Sequence, residues 1–221
     1  MAQIDHNASS WTAADLVHRF GPIPLHRIVR DPAPGTATVT DVVRLDDHED
    51  RLCELIDGTL VEKTMGAYES FLAGQLITLL NIFLAKTKLG IVLGEAGRMQ
   101  LFPEQVRIPD VSYISWNRLK GSGFPENPVP LMVPDLAVEI ISKSNTPQEM
   151  KRKLDEYFEA DVQLVWYLYP QQHQVNVFAS ATDVTTLSKS DTLTGGDLLP
   201  GLSIELQGFF TPPTESNGVK S

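Results

Sequence analysis

The chain has 221 residues, of which 42% are hydrophobic and 21% charged, the proportions of a globular protein with one main core. Its single cysteine, Cys53, excludes an intrachain disulfide and a cysteine-based zinc site, and a reducing compartment suits it best. The net charge of −10 argues against stable coating of DNA, although carboxylates are also what hold a divalent cation.

Residues 1–37 are predicted to form an N-terminal arm and a linker. The first ten residues lack the basic start and apolar core of a secretory signal, so we expect no export. The most apolar stretch, residues 71–85, is interrupted by polar residues, so we expect no membrane span and a cytoplasmic location. Within the arm, a helix is predicted over residues 12–20 and an extended segment over residues 21–30.

The main domain is predicted to span residues 38–211 and to begin with a short helix. Thr40 is a suitable N-cap, and the helix should run through Leu45 before the acidic run 46–50 ends it. The polar tail, residues 212–221, is predicted to be disordered.

Strand and helix patterns alternate through the main domain. Asp57-Gly58 lies between two apolar runs and supplies the positive φ angles of a tight turn, which predicts a β-hairpin over residues 52–63. Apolar residues then recur at helical spacing over residues 67–88, which predicts a long helix. Further strands are predicted over residues 91–94, 98–102, 107–115, 136–142, 163–169 and 174–179, with a ribbon over 185–206 and a proline-rich loop over 121–134.

Two acidic residues interrupt strongly apolar runs. Glu139 lies within residues 136–141, a pattern typical of a strand covered on both faces, where an ionised carboxylate requires a metal ion or a basic partner. Asp110 lies in a second such run, residues 108–114. The alternatives are a structural ion pair for Glu139 and a turn or cap role for Asp110. Asp135, which also follows a proline, is the rival carboxylate.

Lys153 is the basic residue that the sequence places next to a core. Thr146 is followed by Pro at the first helical position and Glu at the third, which predicts a helix over residues 147–160. Lys153 shares with Met150 and Tyr157 the spacing that faces a core, so we expect it to point inward. The alternative is a lysine whose stem lies along apolar surface while its ammonium group reaches water.

The reaction that the sequence predicts from its three candidate residues, Asp110, Glu139 and Lys153, is phosphodiester hydrolysis. That reaction requires a divalent cation to neutralise developing charge and activate water, and a positive group to orient the water. No GxSxG, P-loop or HExxH motif is present, and the five histidines are scattered, so other hydrolytic schemes lack their parts.

At these residues the chain resembles the PD-(D/E)xK nuclease superfamily, and within it the Uma-type restriction endonucleases. The motifs are Glu54-Leu55-Ile56-Asp57-Gly58, Arg107-Ile108-Pro109-Asp110-Val111, Pro134-Asp135-Leu136-Ala137-Val138-Glu139-Ile140-Ile141-Ser142, and Lys153 to Tyr157 followed by Val165-Trp166. The resemblance covers residues 38–210. It implies an α/β (α+β) restriction-endonuclease-like fold, in which helices flank a central mixed β-sheet and a β-hairpin and C-terminal β-ribbon are added. It also implies an endonuclease that uses Mg²⁺, with Mn²⁺ as the alternative, acts on DNA and often forms a homodimer.

The catalytic lysine departs from the superfamily pattern. It normally stands two residues after the acidic residue, where this chain has Ile141, so the resemblance requires a lysine from elsewhere. Lys153 is the first candidate. Lys143 is the second, because it shares a strand face with Glu139 if that strand continues.

Other positions bear on the predicted site. Glu54 is assigned as a metal ligand together with Asp110 and Glu139, and Glu69 is a further acidic candidate, with a structural role as the alternative for both Glu54 and Glu69. Ser70 stands where relatives often carry a histidine on the first long helix.

Two hypotheses of different classes follow. In the first, Asp110 and Glu139 hold Mg²⁺ and Lys153 positions a water that attacks DNA, which the protein binds transiently. In the second, the chain keeps the nuclease fold as a binding or scaffold protein without catalysis, consistent with its net charge of −10 and its displaced lysine.

Overall fold

The structure is a computed structural model that describes residues 11–49, 51–119 and 124–212. The described helices are α1 (Ala13–Phe20), α2 (Val39–Glu49), α3 (Ala67–Thr87), α4 (Trp116–Leu119), α5 (Pro147–Glu159) and α6 (Leu206–Phe209), with a 3₁₀ turn at Leu25–Arg27. The described strands are β1 (Cys53–Ile56), β2 (Thr59–Glu62), β3 (Gly90–Gly94), β4 (Met99–Phe102), β5 (Gln105–Arg107), β6 (Val111–Ser115), β7 (Leu136–Ile140), β8 (Leu164–Tyr169), β9 (Gln174–Phe178), β10 (Val184–Leu187), β11 (Thr192–Gly195) and β12 (Leu199–Glu205).

A six-stranded sheet forms the centre of the fold, in the order β10-β9-β8-β7-β6-β3. Strands β7 and β8 are parallel, and the other neighbours in this sheet are antiparallel. The parallel step is made by α5, which connects β7 to β8 as a crossover helix. The predicted central mixed sheet is therefore confirmed.

Helices cover both faces of this sheet, as predicted. Leu72, Leu76 and Leu80 of α3 are fully buried against one face, and each side chain contributes about 1.5–3 kcal/mol by leaving water. Helix α5 packs on the other face through Met150 and Leu154. By length and composition α3 could also cross a membrane, but its buried leucines give it the role of a core helix.

A second sheet, in the order β2-β1-β5-β4, contains the predicted hairpin. Asp57 and Gly58 form its turn with φ values of 48° and 66°, the left-handed conformation that the Asp-Gly pair predicts. The hairpin is in register, with Glu54 opposite Val61. The prediction of a hairpin over this segment is confirmed.

The predicted arm packs on this hairpin. Phe20 and Ile23 are buried in a cluster with Ile56 of β1. The Arg27 side chain lies 2.8 Å from Glu149 of α5, so the arm is tied to the central sheet layer as well. The division of the chain at residue 37 stays a prediction.

The first helix of the main domain is longer than predicted. It covers Val39–Glu49 instead of ending at Leu45, and Thr38, not Thr40, starts it by donating its N–H and hydroxyl to Asp41. The helix extends into the acidic run that was predicted to end it, and Asp46 in that run accepts a hydrogen bond from Arg98.

The predicted strand over residues 107–115 is wrong as a single element. It divides into β5, which belongs to the hairpin sheet, and β6, which belongs to the central sheet. Pro109 lies at the break and has no N–H to give to either ladder. Asp110 therefore precedes a strand instead of lying inside one.

The predicted ribbon over residues 185–206 is confirmed in its second part and wrong in its first. Its first part is β10, the edge strand of the central sheet, whereas β11 and β12 form a separate two-stranded ribbon. Ser188 N–H and Asp191 form a turn between them with a 2.7 Å hydrogen bond, which interrupts the alternating pattern. The chain then enters α6 at Leu206.

The predicted positions of helices α3 and α5 are confirmed to within one residue. Lys88 and Ala160, predicted as their last residues, follow them as C-caps. Two predictions fall mostly or partly outside the described residues: the disorder of the tail from residue 213 onward, and the first part of the predicted loop, residues 121–123.

Candidate active site

Asp110 and Glu139 lie at the same end of two neighbouring strands. Strands β6 and β7 are antiparallel, with Val111 opposite Val138, so the residue before β6 meets the end of β7. Asp110 Oδ2 accepts a 2.6 Å hydrogen bond from the N–H of Ile140, and both carboxylates are buried. The structure brings the two predicted acidic residues together.

Lys153 reaches the same point from α5. The helix begins with the predicted capping box, in which Thr146 and Glu149 bond to each other's backbone N–H groups. Lys153 is buried, and its Nζ lies 2.9 Å from Glu139 Oε1. Tyr157, one turn further along α5, donates its hydroxyl to the same oxygen at 2.5 Å. The inward direction predicted for Lys153 is what the structure has.

Glu54 of β1 is the fourth predicted residue at this position. Its Oε1 lies 3.0 Å from Lys153 Nζ and accepts the N–H of Ile108 at 3.0 Å, while its Oε2 lies 2.8 Å from Arg107 Nη1. Arg107 in turn donates Nε–H to Glu156 at 2.7 Å. Glu54 is therefore fixed between two cations, and its role as a metal ligand stays a prediction.

Lys63 is a site residue that the sequence reasoning missed. Its Nζ lies 2.8 Å from Asp110 Oδ1 and 4.0 Å from Glu139 Oε2, and it also donates to the backbone carbonyl of Ile108. A signal was present, because the Asp-Gly hairpin pairs Glu54 with Val61, and Lys63 follows two residues later on the same face.

The rival residues lie elsewhere. Asp135 is at the opposite end of β7, where Arg118 Nε–H donates to it at 2.8 Å. Strand β7 ends at Ile140, two residues before its predicted end, so the condition under which Lys143 would share a strand face with Glu139 is not met, and Lys143 is exposed. Glu69 of α3 lines a neighbouring cleft together with Lys143.

Comparison with known proteins identifies the family. The family model described as "Uma2: Putative restriction endonuclease" matches residues 39–207. The chain belongs to the Uma2 family. The predicted resemblance is confirmed, and the matched region holds all the converging side chains, whereas α1 and Arg27 precede it.

The fold of this Uma2 protein also has a solved counterpart. It is similar to a crystal structure from Anabaena variabilis ATCC 29413, described as "a putative nuclease belonging to DUF820", with a TM-score of 0.64 and 17% identity over 73% of this chain and 90% of that chain. No curated protein sequence matches the chain significantly. The structural likeness supports the fold class predicted from the sequence.

The pKa values of Glu139 and Glu54 in the Uma2 site are shifted in opposite directions by their surroundings. Burial raises the pKa of Glu139 above its usual value, although Lys153 and Lys63 oppose the shift. Burial also acts to raise the pKa of Glu54, but Lys153 and Arg107 outweigh it and lower the pKa below its usual value. Glu54 is thus the more firmly ionised carboxylate, and Glu139 is the one that further positive charge would help to ionise.

Lys153 is held in its charged form. Burial acts to lower its pKa, but the carboxylates of Glu139 and Glu54 outweigh burial and raise the pKa above the usual value. An ammonium group in this state can donate hydrogen bonds but cannot accept a proton. Lys153 is therefore suited to orient a water or a phosphate oxygen, and not to act as a general base.

The donor atoms fit a hard divalent cation. Within residues 11–49, 51–119 and 124–212, no three side chains of Asp, Glu, His or Cys converge on one point. Mg²⁺, however, is commonly bound by one or two carboxylates and completes its shell with water. Asp110, Glu139 and the Ile108 carbonyl supply oxygen atoms around a position at which a positive group, the Lys63 ammonium, already lies.

Two clefts give access to these groups. A small one of about 20 Å³ lies directly over the carboxylates and is lined by Thr64 and Asn145 as well as by the charged residues. A larger one of about 660 Å³ shares Met65 and Asp110 with it and extends along Ser70 of α3. The larger cleft therefore has room for a ligand beside Asp110.

Proposed function

We propose that this Uma2 protein is a divalent-cation-dependent endonuclease that hydrolyses phosphodiester bonds in DNA. The observation that carries the proposal is the convergence of Asp110, Glu139 and Lys153, from three separate elements, on one buried point beside a cleft. Two carboxylates and an ammonium group are what in-line attack of water on a phosphate requires of a protein.

In the proposed reaction, Asp110 and Glu139 hold the cation. Asp110 is suited to this role because the Ile140 N–H fixes one of its oxygens and leaves the other directed at the cation position. Glu139 is held by the Tyr157 hydroxyl and Lys153 through its Oε1, which leaves Oε2 for the cation. When bound, Mg²⁺ supplies charge neutralisation at the phosphate and lowers the pKa of a coordinated water.

Lys153 orients the attacking water in this scheme. It is positioned by Glu54, which is itself held by Arg107 and the Ile108 N–H, so the ammonium group has little freedom to move. We assign to Glu54 this positioning role in addition to the metal-ligand role predicted from the sequence. Preorganisation of this kind lowers the barrier without any rearrangement during the reaction.

The remaining features of the proposal concern the substrate and the assembly. The net charge of −10 favours brief encounters with DNA over stable binding, since few phosphates are neutralised. We propose Mg²⁺ as the working cation, Mn²⁺ as a substitute, a cytoplasmic location and a homodimer as the acting form.

The test is cleavage of DNA substrates of several forms in the presence of Mg²⁺ or Mn²⁺. Glu139→Gln and Lys153→Met should each lower the cleavage rate by about 100-fold or more, because second-shell changes alone cost 10–100-fold at metal sites. Glu159→Gln, which removes an exposed carboxylate from the same helix as Lys153, is the matched control. Cleavage that persists at the wild-type rate in Glu139→Gln would exclude this site as its source.

A second function, that of a non-catalytic binding or scaffold protein, is favoured by one observation. Lys63 already provides a positive charge beside Asp110 and Glu139, so the carboxylates are partly compensated by the chain itself. A scaffold would show no saturable binding of Mn²⁺ in calorimetric titration, whereas an endonuclease would show binding that Glu139→Gln abolishes.

A further inference from the structure

Lys63 is the one member of the site that has no place in the proposed reaction. It follows β2 directly and extends its side chain beneath Asp110, where it is nearly buried. Its ammonium group contacts Asp110 Oδ1 and the Ile108 carbonyl and lies 4.0 Å from Glu139 Oε2. These are the oxygen atoms that surround the proposed cation position.

An ammonium group and a divalent cation cannot share this position. Like charges a few ångströms apart repel strongly where little water screens them, and each needs the same lone pairs of Asp110. We infer that Lys63 is a built-in competitor for the divalent cation, which binds between Asp110 and Glu139 only when the Lys63 ammonium moves away. This inference rests on the proposed function, because it presupposes that a cation binds there.

The contacts of the two lysines indicate which one moves. Lys153 lies within 3.0 Å of two carboxylates and is anchored in the middle of α5. Lys63 lies within that distance of one carboxylate, stands at the end of a strand, and has a flexible four-carbon stem. Displacement of Lys63 therefore breaks one close ion pair, whereas displacement of Lys153 would break two.

An exit for the displaced group is present beside the site. Thr64 and Met65, which follow Lys63, line the small cleft over the carboxylates and a second cleft of about 530 Å³ that leads to Lys143. The ammonium group can thus reach water by rotation of its own side chain.

The experiment is calorimetric titration of the full-length protein with Mn²⁺. Lys63→Met should bind Mn²⁺ at least about tenfold more tightly than the wild type, which corresponds to about 1.4 kcal/mol of competition removed. Lys143→Met removes a nearby exposed lysine and should leave the dissociation constant unchanged. Equal affinity of the wild type and Lys63→Met would overturn the inference while leaving the cation site of the proposed function intact.

Absence of saturable Mn²⁺ binding in both proteins would overturn the inference and the proposed function together. A second measurement needs no variant and covers the case in which Lys63→Met does not fold. Amine-selective labelling of the wild type, read by mass spectrometry, should modify Lys63 several-fold more with saturating Mn²⁺ than without it, with Lys143 as the internal reference. Unchanged labelling of Lys63 while Mn²⁺ binds would show that the lysine stays in place.

Discussion

The two Pro-Asp pairs of this chain serve opposite ends of the same pair of strands. Asp110 precedes β6 and Asp135 precedes β7, and because these strands are antiparallel the two carboxylates lie at opposite ends. Each accepts a 2.6 Å hydrogen bond from the N–H of a terminal residue of the neighbouring strand, Ile140 for Asp110 and Ser115 for Asp135. The local arrangement is the same at both ends.

The difference lies in what surrounds the second oxygen. Asp135 Oδ1 accepts hydrogen bonds from Arg118 at 2.8 Å and from Gln163 at 2.7 Å, so neutral and charged donors of the fold itself satisfy this oxygen. At the other end, Glu139 adds a second buried carboxylate to Asp110. An identical dipeptide thus makes a structural contact between two strands in one place and forms part of the proposed active site in the other, and the neighbouring charges decide which.

Substitution of the aspartate at each end should affect the rate of DNA cleavage very differently. Asp110→Asn should lower DNA cleavage by about 100-fold or more and weaken Mn²⁺ binding, because it removes one of the two proposed cation ligands. Asp135→Asn, the matched substitution, should leave the cleavage rate within about threefold while lowering the free energy of unfolding, because Arg118 loses its buried carboxylate partner and keeps only the exposed Asp161. Cleavage assays and urea denaturation of both variants check this, and equal losses of cleavage would refute the functional difference between the ends.

Much of the fold was predictable from local patterns. The Asp-Gly turn, the capping box at Thr146 and the helical spacing of α3 each depend on residues close in sequence, and each prediction is confirmed. The segments wrongly predicted as single elements, residues 107–115 and 185–206, are those in which the chain passes from one sheet to another. Periodicity does not report such a change, because the alternation continues on both sides of it.

The site was predictable only in part, for a related reason. Glu139 and Lys153 stand out because a charge in an apolar run or on a core-facing helix position needs a partner. Lys63 and Arg107 are harder to find, because each lies at the end of a short strand where a basic residue is common, and the signal for Lys63 appears only when the register of the hairpin is worked out. Their importance follows from the packing of the hairpin sheet against α5, which only the three-dimensional structure shows.

The second prediction concerns how Glu54 stabilises the end of the strand pair that holds Asp110 and Glu139. Glu54→Gln should lower the free energy of unfolding by about 3–5 kcal/mol at neutral pH, because it leaves buried Arg107 and Lys153 without a shared carboxylate. The pKa of Glu54 is lowered in the folded state, so its stabilisation is present above its usual pKa of 4.5 and is lost as the pH falls towards the folded-state value. The difference from the wild type should therefore shrink between about pH 6 and about pH 3.

Urea denaturation at several pH values measures this difference. Glu69→Gln is the control, because Glu69 is a half-buried acidic residue outside the ion-pair cluster and should give a small, nearly constant difference. A Glu54→Gln difference that stays constant, or grows, as the pH falls would contradict the assigned charge state.

A smaller loss of stability is expected when Arg118, a hydrogen-bond donor to Asp135, is removed. Arg118→Met removes a charged donor from Asp135 but leaves the Ser115 N–H and Gln163 in place, and the Arg118 side chain is 22% exposed. The free energy of unfolding should fall by about 1 kcal/mol, because solvent weakens the pair and two donors remain. Cleavage rate and Mn²⁺ affinity should match the wild type, since the affected group lies at the far end of β7. A loss of either one would mean that the two ends of the strand pair are coupled. The contacts of Asp135 would then influence the proposed active site by setting the register of β6 against β7.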